Sequence, residues 1–436
     1  MRYISTRDNA ESVQAAEAIV RGMVPQGGLY VPQEIPQLDE AALRAMVDLS
    51  YQALAKEILA LYLDDFSAEE ISTMVDAAYD ASRFDDAEVA PVVKIHDGLF
   101  ALELWHGPTA AFKDMALQLL PHLLVHSMKK TGVDKEVVIL VATSGDTGKA
   151  ALEGFCDEVD ALGCQFSSAN SINWGRLLPQ IVYYFAAYMQ LVRKGEIAFG
   201  DAIDFTVPTG NFGNILAGWF AREMGLPIGK LVCASNANDV LDDFIRTGTY
   251  DANRPFMKTN SPSMDILISS NLERLLSLLS GSDEEVRGYM QKLSETGTYT
   301  VSDRVLRAVQ AEFSCGFCTD AQGAQTIGKT FRESRYLLDT HTAVACTVLG
   351  AYRAETGDQT LTVVESTASP FKFCASVLDA LGVTEHAPGT GVLGQLTAET
   401  GRPAPTPLAS LAGKPVRFDQ VTDRGDMRAV VTEFLR

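Results

Sequence analysis

Positive charge is what this chain has least of. Its 436 residues hold 36 Lys and Arg against 56 Asp and Glu, a formal net charge of −20. A field of that sign repels nucleic acid and anionic membrane surfaces, so neither is expected as a partner. An anionic small molecule can be held only where local groups override the field. Cysteine is sparse as well, at seven, an odd number that cannot pair completely. A reduced, cytoplasmic setting fits that usage better than a disulfide framework. The opening residues, MRYISTRDNAESVQ, lack the apolar core of a secretory signal. Long apolar runs are missing too. The longest, from Leu177 to Val192, is interrupted by Pro179, Gln180 and Gln190 and reads as a buried helix.

What remains is an ordinary globular composition, 47% hydrophobic and 21% charged. At ~150 residues per domain the length suggests two or three domains. Residues 5–90 read as mainly helical, with apolar residues at helical spacing over 10–21 and 39–63. Ser67-Ala68-Glu69-Glu70 has the form of a capping box. From Pro91 onward strands alternate with helices. Strands are expected at 100–104, 136–141, 202–207, 230–234 and 361–364, and helices at 111–126, 147–155, 171–192, 214–224 and 370–381. Such alternation predicts an α/β fold of parallel sheets covered by helices on both sides. The alternation fails at 156–165, where CDEVDALGCQ offers no clear strand.

Two glycine loops follow apolar strands and open helices: Thr143-Ser144-Gly145-Asp146-Thr147-Gly148 and Pro208-Thr209-Gly210-Asn211-Phe212-Gly213-Asn214. Backbone N–H groups at a helix N-terminus suit an anion, above all a phosphate. Neither loop has the Walker or G-x-G-x-x-G spacing, so nucleotide binding is poorly supported. Either one also fits a loop that merely turns the chain. Lys113 opens an apolar helix, where the helix dipole disfavours its charge. A neutral amine at that place can form a Schiff base, although the same pattern fits a surface lysine at a helix start. Ser366-Thr367-Ala368-Ser369-Pro370 ends the strand at 361–364 and offers hydroxyls to a ligand. It fits equally well as a helix cap. Cys315-Gly316-Phe317-Cys318 is a lone C-x-x-C pair with no partner pair or nearby His, so no metal is expected. His122 and His126 share a helix face without a third ligand. G-x-S-x-G and H-E-x-x-H do not occur.

Taken together these segments resemble the threonine synthase family, pyridoxal-phosphate enzymes of the tryptophan-synthase β-like fold, type II. The resemblance runs through Tyr3-Ile4-Ser5-Thr6-Arg7, Gly28-Leu29-Tyr30-Val31-Pro32, HGPTAAFKD at 106–114, ATSGDTGKAA at 142–151, SSANSINWGRLLPQ at 167–180, PTGNFGN at 208–214 and ESTASPFKF at 365–373. It implies two doubly wound sheets with the cofactor between them, after a helical N-terminal region. The corresponding division is 1–95 for the N-terminal region, 96–166 for a smaller domain and 167–436 for a larger one. By the same resemblance Lys113 holds pyridoxal 5′-phosphate, and Gly210, Asn211, Phe212, Gly213 and Asn214 cradle its phosphate. Thr367, rather than Ser366, faces the pyridine nitrogen. Thr143, Ser144, Gly145, Asp146 and Thr147 face the amino-acid part of the substrate. Charge, polarity and motif position nominate Ser168, Asn170, Asn173, Arg176 and Lys372 for the substrate phosphate.

The implied reaction is a carbon–oxygen lyase step with water addition, converting O-phospho-L-homoserine and water to L-threonine and phosphate. The expected assembly is a monomer or homodimer. The family carries further strands and helices where this chain has only 156–165, so the smaller domain is read as truncated there. That shortening leaves two other readings: a related phospholyase on another phosphorylated amino acid, or a cofactor-binding chain with impaired catalysis.

Overall fold

The computed structural model describes residues 1–133, 170–415 and 421–434. The strand expected at 136–141, the helix at 147–155 and the shortening at 156–165 lie outside the described residues.

The N-terminal region is less purely helical than its periodicity predicts. Helices Ala15–Arg21, Glu40–Ala45, Tyr51–Tyr62 and Ala68–Ala78 are present. The last carries the expected capping box, with Ser67 and Glu70 each bonded to the other's backbone N–H. Alongside them lies a small antiparallel sheet of β1 (Tyr3–Ser5), β2 (Ser12–Val13) and β3 (Tyr30–Pro32), in the order β2-β1-β3. Strands of two or three residues are too short to show a period, which is why the sequence pattern misses them. Gly28, at φ +95°, turns the chain into β3 so closely that a Cβ there would lie 2.6 Å from Ser5 Oγ.

The remaining strands are β4 (Val92–His96), β5 (Leu99–Glu103), β6 (Ile203–Pro208), β7 (Ile228–Ser235), β8 (Thr249–Asp251), β9 (Thr298–Thr300), β10 (Phe313–Phe317) and β11 (Thr362–Ser366). Six of them form one sheet in the order β10-β7-β6-β11-β5-β4. All neighbours run parallel except β4, which pairs antiparallel with β5. Strands β5, β6 and β11 are buried along their whole length, as expected of a parallel sheet covered on both faces. Strand β5, read from the sequence as part of the smaller domain, is hydrogen-bonded along its length to β11. The carboxyl ends of β5, β6 and β11 thus open side by side, where ligands bind in such sheets.

Helix Trp174–Arg193 explains the long apolar stretch. It packs against both Tyr51–Tyr62 and Gly213–Glu223, and nearly every residue from Trp174 to Leu191 is buried. Burial on all sides makes it apolar all round without making it a membrane span. Among the described residues no helix is long and apolar enough to cross a membrane. One expected element is broken. The helix foreseen over 111–126 is two, Asp114–Leu117 and Leu120–Thr131, the second having proline in its first turn. Pro121 has no N–H and favours a helix start over a helix interior.

Gly218 is the point of closest approach between helices Gly213–Glu223 and Trp174–Arg193. A Cβ there would sit 2.6 Å from Tyr184 Cε1 and 3.1 Å from Leu231 Cδ2. Gly218→Ala is therefore expected to destabilise the chain by about 1–3 kcal/mol through overpacking. The check is a lowered midpoint in denaturant melts, despite alanine's better helix propensity.

Candidate active site

Lys113 sits at the end of a loop that leaves β5 and wraps around a buried carboxylate. Asp114, 1% exposed, accepts from the Thr109 N–H (2.7 Å) and the Thr109 hydroxyl (2.8 Å). Gly107 lies so close that a Cβ would fall 2.5 Å from Asp114 Cβ. Ala110 takes a left-handed conformation, φ 53°. This loop is stitched to the end of β11. Leu104 N donates to Ser366 O (3.0 Å), Phe112 N to Thr367 O (2.8 Å) and Ser369 N to Ala110 O (3.0 Å). The stitching pins Phe112, the residue before Lys113, to Thr367.

No hydrogen bond or ion pair among the described residues holds the Lys113 amine. Its pKa lies below the ordinary lysine value, first because surrounding protein desolvates the charge, then because Arg176 and Lys372 add like charge. The sequence argument credited the helix dipole. The helix it opens, however, has only four residues, too short for a large macrodipole. Arg176 is itself lowered to about 10 by burial, so it stays cationic at neutral pH. Lys372 donates to Thr109 O (2.8 Å), which ties the third cation to the same loop.

The second loop continues β6. Phe212 is left-handed at φ 60°, and helix Gly213–Glu223 begins after it. Among the described residues no hydrogen bond uses the backbone N–H groups of Asn211, Phe212, Gly213 or Asn214, which leaves a helix-terminal anion site open. A Cβ on Gly210 would meet Ser263 O at 3.0 Å, and one on Gly213 would meet Asn271 Nδ2 at 3.3 Å. Asn271 holds the loop from behind, donating to Asn211 O through its backbone N–H (3.0 Å) and its side chain (3.1 Å). The Asn214 side chain is turned away from the loop. It donates to Glu365 Oε2 and accepts from the hydroxyls of Tyr183 and Tyr184. Only its backbone N–H is left to serve an anion.

Within the third loop the two hydroxyls differ. Ser366 Oγ accepts from Trp105 Nε1 (3.1 Å) and Thr342 Oγ1 (3.4 Å). Thr367 Oγ1 makes no hydrogen bond among the described residues, and Thr367 is 6% exposed. Of the polar residues nominated for a substrate phosphate, Asn173 is 1% exposed. Its amide accepts from Gly175 N (2.8 Å) and donates to Ile19 O (3.0 Å), so it caps a helix. Asn170 is exposed and accepts from the Ser171 hydroxyl (2.9 Å). Thr143, Ser144, Gly145, Asp146, Thr147 and Ser168 lie outside the described residues.

Several groups around the site have contacts that the sequence does not show. His106 bridges Asp85 Oδ1 (2.6 Å) and Glu103 Oε2 (3.0 Å). Burial opposes its charge, but the two carboxylates outweigh it and raise its pKa. Tyr336 donates to the other Glu103 oxygen (2.8 Å). Arg274 is wholly buried. It donates to Tyr30 O (2.9 Å), Asn271 Oδ1 and Ile172 O, and burial lowers its pKa to about 9. Glu365 leaves a trace, a carboxylate following Val363-Val364 in a buried strand. Two literal nucleotide motifs are decoys. Residues 323–330 spell G-x-x-x-x-G-K-T but lie inside helix Asp320–Ser334. Residues 389–394 spell G-x-G-x-x-G but follow no strand.

Comparison with known proteins agrees with this geometry. Residues 2–79 match the family model "Threonine synthase N terminus" and residues 342–432 match "Threonine synthase, C-terminal". Human Threonine synthase-like 1 is 35% identical over 88% of this chain, but the chain spans only 60% of that protein's length. Threonine synthase of Schizosaccharomyces pombe is 33% identical, the alignment covering 87% of this chain and 89% of the relative. That alignment runs over 462 residues, more than the 436 present here, so the relative has residues without a counterpart in this chain. The crystal structure of pyridoxal-phosphate-bound threonine synthase from Brucella melitensis superposes with a TM-score of 0.81 at 35% identity. It covers 92% of this chain and 95% of that one. With relatives of such identity matched over most of their own length, the chain belongs to the threonine synthase family.

Proposed function

We propose that the chain binds pyridoxal 5′-phosphate and converts O-phospho-L-homoserine and water to L-threonine and phosphate. The observation that carries this reading is the Lys113 amine, without a hydrogen-bond partner among the described residues and with a lowered pKa, next in sequence to Phe112, whose N–H donates to Thr367 O, and within the field of Arg176 and Lys372. The residues present fit the cofactor. The N–H groups of Asn211 to Asn214 suit its phosphate, close packing behind Gly210 leaves no room for a side chain there, and Thr367 has a hydroxyl to spare for the ring nitrogen. When bound, the cofactor supplies an electron sink for the carbanion beside the substrate's amino group.

The chain's own residues account for the remaining chemistry. Lys113 would hold the cofactor and, once displaced by substrate, take and return protons at the substrate's Cα and Cβ. Its lowered pKa raises the fraction of neutral amine above that of an ordinary lysine, the direction a general base requires. Arg176 and Lys372 would bind the substrate phosphate and stabilise it as it leaves Cγ. They supply locally the positive charge that the chain lacks overall. Ser144 and its loop neighbours are proposed to orient the amino-acid end. Water then adds at Cβ. The class is a pyridoxal-phosphate-dependent carbon–oxygen lyase.

Purified chain with added cofactor should release phosphate and threonine in equal amounts from O-phospho-L-homoserine. A 2-oxo acid in place of threonine would instead identify a phospholyase. Lys113→Ala should lose the visible absorbance of the protein-bound cofactor and lower turnover by about a thousandfold or more. Lys372→Ala should raise the substrate KM about tenfold, the scale of one charge-assisted contact, while cofactor absorbance persists. Parent-like KM in that variant would remove Lys372 from the phosphate site.

A further inference from the structure

Behind the 208–214 loop lies a carboxyl group that the reaction does not use. Glu365 is 0% exposed, near the end of β11. Its Oε2 accepts from Asn214 Nδ2, and its Oε1 has no hydrogen-bond partner. Two tyrosines on helix Trp174–Arg193 face it, but their hydroxyls donate to Asn214, Tyr184 at 2.9 Å to the backbone oxygen and 3.1 Å to Oδ1. From helix Gly213–Glu223 only the neutral Asn214 reaches it. The neighbouring position on β5 is Leu102. Helix Thr340–Thr356 also packs on β11, on the opposite face, where Thr342 meets Ser366. Glu103, paired in register with Ser366, and Asp339, which accepts from Thr342, go with that face. Among the described residues, then, no cation faces the Glu365 carboxyl.

A buried carboxylate with one bare oxygen and no counter-charge is strongly disfavoured. We infer that Glu365 is carried as a neutral acid and positions Asn214, so that the 208–214 loop accepts a phosphate group only while Glu365 keeps its proton. This rests on the reading of that loop as the cofactor-phosphate cradle. Burial raises the Glu365 pKa to about 8, with Tyr184 and Asn214 pulling the other way. Ionisation would put a negative charge one hydrogen bond from the loop that must hold a phosphate dianion, and the two would repel through a poorly screened interior. Glu365 is a positioning residue in this scheme and touches no reacting atom.

The sign of the linkage is fixed. A folded-state pKa raised from 4.5 to about 8 means stability is lost as pH rises through that interval. Glu365→Gln keeps an acceptor for Asn214 and cannot ionise. In the cofactor-free chain, the Tm of the variant minus that of the parent should therefore grow between about pH 5 and about pH 8. A constant difference overturns the neutral acid. Pyridoxal 5′-phosphate and unphosphorylated pyridoxal are then titrated into both chains. Parent affinity for the phosphorylated probe should fall roughly fivefold to tenfold between about pH 7 and about pH 9 relative to pyridoxal, and the Gln variant should lose that fall. Lys113, Arg176 and Lys372 titrate alike in both chains and cancel from the comparison. Superimposable profiles overturn the inference alone. Absence of binding by either chain at every pH overturns the cradle reading and this inference with it. Should the variant not fold, the parent's two probes still decide, since equal pH dependence of both excludes a phosphate-specific effect.

Discussion

Three backbone hydrogen bonds between the chain leaving β5 and the chain leaving β11 hold the site in one piece. They run from Leu104 to Ser366, from Phe112 to Thr367 and from Ser369 to Ala110. The first continues the pairing of two buried parallel strands past the edge of the sheet, and the other two flank an antiparallel bridge between Ala111 and Ala368. The backbone of Lys113 is thus fixed to the sheet, while its side chain has no hydrogen-bond partner among the described residues. The role proposed for that amine, to be released and then move protons, needs such an anchored base and a mobile tip. The Asp114 carboxylate completes the arrangement by gathering the loop around itself.

Charge is organised on two scales. Over the whole chain the excess is strongly negative. At the mouth of the sheet Lys113, Arg176 and Lys372 stand together, and a helix N-terminus adds uncommitted N–H groups. Burial strengthens these local terms because the interior screens them less than water does. A distant surface carboxylate acts through solvent and counterions and loses most of its reach. The opposing signs therefore coexist, and the local one governs what binds.

How much of this could be read from the sequence depends on whether a feature leaves a period or a motif. Strands β5, β6, β7 and β11 fall within a few residues of their expected places because their apolar runs and closing glycines or hydroxyls are local signals. The capping box at Ser67 and the buried helix behind Leu177 were legible for the same reason. Lys113 and the 208–214 loop stand out because helix starts and glycines have distinctive chemistry. The break before Pro121 was hidden by an apolar pattern that continues across it. The helix cap at Asn173 was not legible, because capping and ligand binding use the same amide. Asp85 and Tyr336 join Glu103 and His106 only through the tertiary fold, and no spacing announces them.

Arg274 has a consequence for how the chain assembles. Its guanidinium joins the carbonyl of Tyr30, the carbonyl of Ile172 and the side chain of Asn271, three segments far apart in sequence. Until all three have docked, that charge cannot be buried without stranding donors. The same logic runs backward. Fraying of β3 strips one acceptor from a wholly buried cation, and Asn271, its other contact, is what braces the 208–214 loop. Strand β3 and the 208–214 loop are therefore tied into one hydrogen-bonded unit, and hydrogen exchange in the first strands is expected to report on the integrity of that loop.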